Sequence, residues 1–153
     1  VQKISTKWEE SKRSKHIQNE LMEITTIKSS IEKGADIDGL VVGKGVSLLY
    51  ESVSLGKVHK TKFLLAHGAN PNLMIKTVIE ETPLHCVGTS TDKAVMRSIG
   101  LPCISPDELT QNIKLLLAYG ANPESLDSDK NTSVHALVYR AASYKKAFHA
   151  LLT

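Results

Sequence analysis

The chain is poor in cysteine. Cys86 and Cys103 are the only two in 153 residues, which argues against a disulfide-stapled secreted scaffold and fits a reducing compartment. No Cys-x-x-Cys pair is present to seed a zinc site. Aromatic residues make up 5% of the chain, too few and too scattered to form the stacking platforms of nucleic-acid readers. The clearest apolar runs, Phe63 to Ala66 and Leu115 to Ala118, fall far short of the roughly 20 residues that span a bilayer. Charge of one sign is also missing: 19 Lys and Arg against 16 Asp and Glu leave +3, too mild to announce nucleic acid or an anionic membrane. There is no hydrophobic leader and no starting methionine before Val1-Gln2-Lys3, so the chain is expected to be a piece of something longer. With 41% hydrophobic and 23% charged residues, one water-soluble domain is the expected product.

What the chain does contain is a repeat. Gly34-Ala35-Asp36-Ile37-Asp38, Gly68-Ala69-Asn70-Pro71-Asn72 and Gly120-Ala121-Asn122-Pro123-Glu124 are three copies of one phrase, each directly after an apolar helical stretch. The first two begin 34 residues apart and the third follows after 52, so one unit carries 18 extra residues. A second phrase keeps step with the first: Thr82-Pro83-Leu84-His85, then Thr132-Ser133-Val134-His135, with Ser47-Leu48-Leu49-Tyr50 as a degenerate copy.

Between the phrases, apolar residues recur at helical spacing in Leu49 to Val53 and in Lys62 to Leu65, and Gly56 separates the two stretches as a helix stop. Each unit is therefore a pair of short antiparallel helices plus a turn. Such a pair cannot bury its apolar face alone, and neighbours must stack into a continuous elongated core. Glycine opening the first phrase suits the left-handed residue just past a helix end. Threonine or serine opening the second is an N-cap, and Pro83 sits in the first turn, where its missing N–H does no harm.

These residues resemble the ankyrin repeat, whose consensus carries Thr-Pro-Leu-His opening an inner helix and Gly-Ala-Asp/Asn-Pro closing an outer one. The resemblance covers about residues 20 to 153 and is strongest over 56 to 85 and 112 to 136. It implies an all-α solenoid of about four stacked helix-turn-helix units with hairpin-like turns, with approximate units 1–36, 37–70, 71–122 and 123–153. It also implies that His85 and His135 are structural, hydrogen-bonding the adjacent turn, with Tyr50 in the same place in a weaker repeat.

Several stretches depart from that pattern. The first outer helix is expected over Leu21 to Ile31, preceded by a separate N-terminal helix that holds Trp8 and the basic run Lys12 to Lys15 as a capping element. The turns after Gly34 and Gly68 are greasy, with Leu40-Val41-Val42 and Leu73 to Ile79; they either pack on each other as a hairpin ribbon or form a patch that a partner covers. The extra residues, near 88–105, are expected to hold a short helix from Thr91 to Ile99. Ser105-Pro106-Asp107-Glu108 is then a capping box that starts a long outer helix near Pro106, reaching Tyr119 with Leu109, Ile113, Leu116 and Leu117 inward. No closing phrase follows Tyr144 to Leu152, which suggests truncation or continuation into another domain.

No nucleophile, base and metal set is legible. Cys86 reads as a buried, inert thiol. Gly43-Lys44-Gly45 lacks the spacing of a phosphate loop. The expectation is therefore a non-catalytic protein-protein interaction module without cofactor or metal, a monomer that binds another protein and neither nucleic acid nor membrane. The alternative is the substrate-recruiting domain of a larger enzyme or bacterial effector whose catalytic part lies outside this chain. The compartment would be cytoplasmic or otherwise intracellular, or the host cytosol for a secreted bacterial effector. By the resemblance, partner contacts fall on the concave face: Tyr50, Glu51, Ser54 and Leu55 on one inner helix, Cys86 and Thr89 on the next, and Ala136, Tyr139 and Arg140 on the last. Turn residues Leu40, Val42, Met74, Ile75 and Ile79 extend the set. Tyr139 and Arg140 stand foremost, because tyrosine and arginine are frequent interface anchors.

Overall fold

No glycine or proline interrupts residues 2–32, and the chain there forms one continuous helix, α1 (Gln2–Glu32), rather than the two helices predicted. The computed structural model describes residues 2–41, 45–76, 80–87 and 105–140, with the side chains of 2–9, 12, 13, 16 and 137–140 outside that description. Beyond α1 the elements run α2 (Leu48–Ser54), α3 (Val58–Ala66), β1 (Ile75–Lys76), β2 (Glu80–Glu81), α4 (Pro106–Ala118) and α5 (Ser133–Arg140). Trp8 as a core cap, the helix expected over 91–99, Cys103 and the last helix from Tyr144 all fall outside the described side chains or residues.

The glycine phrases end helices by a shared device. Gly34, Gly68 and Gly120 have φ of +93°, +91° and +92°, a region where a Cβ is strained. The residue after each donates to the carbonyl five positions back: Ala35 to Ser30, Ala69 to Leu64 and Ala121 to Leu116, at 2.9 to 3.0 Å. Carbonyls orphaned at the helix end are thereby satisfied. Serine opens the helices at the other end. The Ser47 hydroxyl accepts from the Tyr50 amide and the Ser105 hydroxyl from the Glu108 amide, with Pro106 at the first helical position.

Helix α3 packs against α1, α2 and α4. Its buried Leu64 and Leu65 meet Leu49 and Val53 of α2 and Leu109, Ile113 and Leu116 of α4 in one apolar cluster that also takes in Leu84, Cys86 and Val87. Each such leucine contributes on the order of 1.5–3 kcal/mol by leaving water. Leu117, expected to point inward, is only partly buried at the edge of the cluster.

The turns form hairpin-like fingers. In the first, Leu40 and Ser47 make an antiparallel bridge. In the second, β1 and β2 pair antiparallel with Ile75 opposite Glu81 and Lys76 opposite Glu80. In the third, the Asp127 carboxylate accepts from the amides of Asp129 and Asn131 at 2.9 and 2.8 Å, an Asx-type turn. A ladder joins successive turns. The Asn70 amide donates to Asp38 Oδ1 at 2.8 Å and the Asn122 amide to Asn72 Oδ1 at 2.7 Å, while Asn72 Nδ2 donates to the Gly120 carbonyl at 2.9 Å. The fifth residue of one phrase thus binds the third residue of the next.

Candidate functional site

Helix α2 turns Leu49, Ser52 and Val53 into the interior and leaves Tyr50, Glu51, Ser54 and Leu55 half-buried. Seven residues give two turns, so one side is committed to packing and the other carries the predicted contact residues. Tyr50 is held from above: its hydroxyl donates to the Glu81 carboxylate, and Glu81 is 5% exposed. Ser54 Oγ donates to the Glu51 carbonyl at 2.9 Å.

The two histidines of the second phrase act within the stack. His85 Nδ1 accepts from the Thr82 amide at 3.3 Å and lies 2.7 Å from Thr82 Oγ1; its Nε2 lies 3.0 Å from the Asn131 carbonyl. That pattern requires the neutral ring to carry its proton on Nε2. His135 repeats the local half, with Nδ1 2.8 Å from Thr132 Oγ1 and 3.3 Å from the Thr132 amide.

Two residues leave the predicted contact surface. Ile75 is 1% exposed, because the alternation of the β1 strand turns it inward between the outward Met74 and Lys76. Cys86 is fully buried, with its thiol 3.0 Å from the Pro83 carbonyl. Leu40 and Met74 stay on the surface at 61% and 39% exposure. Leu126, which the sequence reading passed over, is 48% exposed on the third finger; its place six residues after Gly120 was the available signal. Ala136 is half-buried on α5, which also carries Tyr139 and Arg140; Val42, Ile79 and Thr89 lie outside the described residues.

A polar cluster fastens α1 to α3. Helix α3 has no side-chain cap of its own at Lys57. Glu20 of α1, 2% exposed, supplies one across the interface by accepting from the Lys60 amide at 2.7 Å. Its other oxygen lies 3.6 Å from His59 Nδ1. Glu23 receives Lys57 Nζ at 2.9 Å and Lys60 Nζ at 3.0 Å. Burial pushes the Glu23 carboxyl up, but the hydrogen bonds and charges of these two lysines outweigh it and hold the group below its ordinary range. Beside this cluster an open cavity of about 180 Å³ is lined by Ile17, Glu20, Gly56, Val58, His59, Glu108 and Gln111. The Glu20 carboxylate there is occupied in capping α3. Among the described residues no three His, Cys, Asp or Glu side chains are grouped to hold a metal ion, and no helix is long and apolar enough to cross a membrane.

No protein-family model matches the chain. It is similar to Rabankyrin-5 from Homo sapiens, 31% identical over 110 residues, which is 72% of this chain and 9% of the relative. Rabankyrin-5 from Mus musculus is 33% identical over 101 residues, 66% of this chain and 8% of the relative. The chain thus spans less than a tenth of the length of the curated relatives it matches. Among solved structures it resembles an ankyrin repeat domain from Acinetobacter baumannii AYE, with a TM-score of 0.63 and 24% identity over 82% of this chain and 55% of that one. It also resembles the ankyrin repeat domain of Bcl-3, described as a unique member of the IkappaB protein family, with a TM-score of 0.60 and 23% identity over 84% of this chain and 46% of that one.

Proposed function

Given that this chain has the ankyrin-repeat fold, we propose that it is a non-catalytic protein-protein interaction module that grips a partner protein through its concave face and turn tips. The observation that carries this reading is the division of labour on α2 and the fingers. Leu49, Ser52, Val53 and Ile75 serve the interior, whereas Ser54, Leu55, Leu40 and Met74 keep surface that the core does not use. Side chains so placed can vary without loss of the fold, which is what a recognition surface requires. Tyr139 and Arg140 on α5 remain the proposed anchors. An intracellular setting and a monomeric state belong to the same proposal.

A second reading, recruitment of substrate for a catalytic domain elsewhere in a longer protein, draws on the length of the similar Rabankyrin-5 chains. It uses the same surface.

Selection of ligands from a display library against the chain tests the proposal. Selected ligands should bind Ser54→Arg and the double variant Tyr139→Ala/Arg140→Ala at least roughly tenfold more weakly, as hot-spot losses of a few kcal/mol imply, with melting temperatures unchanged. Equal binding to both variants would place recognition elsewhere and sink the reading.

A further inference from the structure

Every described turn exposes one large apolar side chain at the same place. Leu40, Met74 and Leu126 each stand six residues after the left-handed glycine of their phrase, at Gly34, Gly68 and Gly120, and are 61%, 39% and 48% exposed. Neighbouring turns are tied together by the amides of Asn70 and Asn122 on Asp38 and Asn72. The three side chains therefore form a fixed row along the stack rather than scattered surface leucines of the ordinary kind.

The row has a charged setting opposite in sign to the rest of the chain. Turn segments 35–47, 69–82 and 121–132 hold seven acidic residues against three basic ones, a net of −4, while the whole chain is +3. The remainder is thus +7. Asp36, Glu80, Glu124 and Asp129 are exposed among these acids.

Spacing then selects the ligand's conformation. Packed helices stand about 8–10 Å apart, so equivalent residues of successive units recur at about that interval. A helix brings the same face round every seven residues, about 10.5 Å at 1.5 Å per residue. An extended strand repeats its face at about 6.7 or 13 Å and misses the row. Resting on the protein-binding reading above, we propose that the finger edge docks a basic amphipathic helix of a partner protein, which lies along the stack with apolar residues at heptad spacing against Leu40, Met74 and Leu126 and with lysine or arginine facing the acidic turns. Its apolar stripe supplies register, and the charge supplies rate of encounter and choice of partner.

The probe is a labelled synthetic helix of about three heptads (about 31 Å at 1.5 Å per residue), built from lysine and alanine with one leucine per heptad, titrated against the intact chain by fluorescence anisotropy. Two control peptides accompany it, one with the leucines moved off heptad spacing and one with glutamate replacing lysine. The chain should bind the first peptide at least roughly tenfold more tightly than either control. Binding should fall by a similar factor in Leu40→Ser/Met74→Ser/Leu126→Ser, whose exposed sites leave the circular dichroism and melting temperature unchanged. Equal binding of the off-spacing peptide, or undiminished binding by the triple variant, overturns the proposal. If the helix fails while display-selected ligands still bind, the helix proposal falls alone; if neither binds, the broader reading falls with it.

Discussion

The Tyr50 hydroxyl donates to the carboxylate of Glu81, 31 residues along the chain, and His85 reaches the Asn131 carbonyl in the same register one unit later. Glu81 and Asn131 each immediately precede the threonine that opens the second phrase. A phenol meeting a side chain and an imidazole meeting a backbone carbonyl are two solutions to one requirement, that each inner helix be tied to the base of the next finger. Tyr50 is therefore part of the joint between units, and its place among the contact residues is secondary to that.

Removing the hydroxyl with Tyr50→Phe should destabilise the fold by about 1–3 kcal/mol, because a hydrogen bond to a buried carboxylate is lost. Equilibrium urea unfolding followed by circular dichroism measures it. An unchanged midpoint would mean that the link contributes nothing.

Asn72 both donates to Gly120 and accepts from Asn122. Asn72→Ala should lower stability by about 1–2 kcal/mol, although the residue is exposed and touches no core side chain. A surface site outside such a joint shifts stability by only about 0.5 kcal/mol, so the two outcomes separate cleanly in thermal melts.

Glu23 titrates below its ordinary value of 4.5 because of Lys57 and Lys60. A carboxyl with a folded pKa below its unfolded one adds stability that is fully present above the unfolded value and disappears as pH falls through the folded one. The difference in urea midpoint between the wild type and Glu23→Gln should thus be present at neutral pH and vanish as the pH drops well below 4.5. Since the Glu23 side chain is 40% exposed, added salt should shrink the neutral-pH difference. A difference that persists undiminished in acid would show that the cluster acts through something other than this charge.

Lys130 has φ of +65°, two residues before Thr132, and Gly45 has φ of +67°, two residues before Ser47. The third finger therefore asks a lysine for the conformation that glycine supplies in the first. Lys130→Gly should stabilise the chain by up to about 1 kcal/mol, the relief of left-handed strain less the added freedom of the unfolded chain. A fall in melting temperature would show that the lysine side chain makes a compensating contact.

Local signals carried most of the architecture. The glycine phrases gave the helix ends at Gly34, Gly68 and Gly120, and Ser105 with Pro106 gave the start of α4 to the residue, because caps and left-handed turns depend on neighbours in sequence. The length of α1 was missed because the predicted break rested on the family pattern, while nothing between Gln2 and Glu32 stops a helix. Links that join distant residues left no local trace: Glu20 capping α3 from 40 positions away and Tyr50 meeting Glu81 both required the stack to be assembled first. Ile75 was misplaced because a run such as Leu73-Met74-Ile75 does not announce which of its members the hairpin register turns inward.

The bond between Asp38 and Asn70 spans 32 positions and that between Asn72 and Asn122 spans 50, yet both fasten the same two atoms of neighbouring turns. Contour length between rungs is therefore immaterial to the ladder, as loop closure would have it. The segment around 88–105 is a natural splice point, where a tag, a reporter or a second binding domain could be carried as cargo while the rungs on either side keep their pitch.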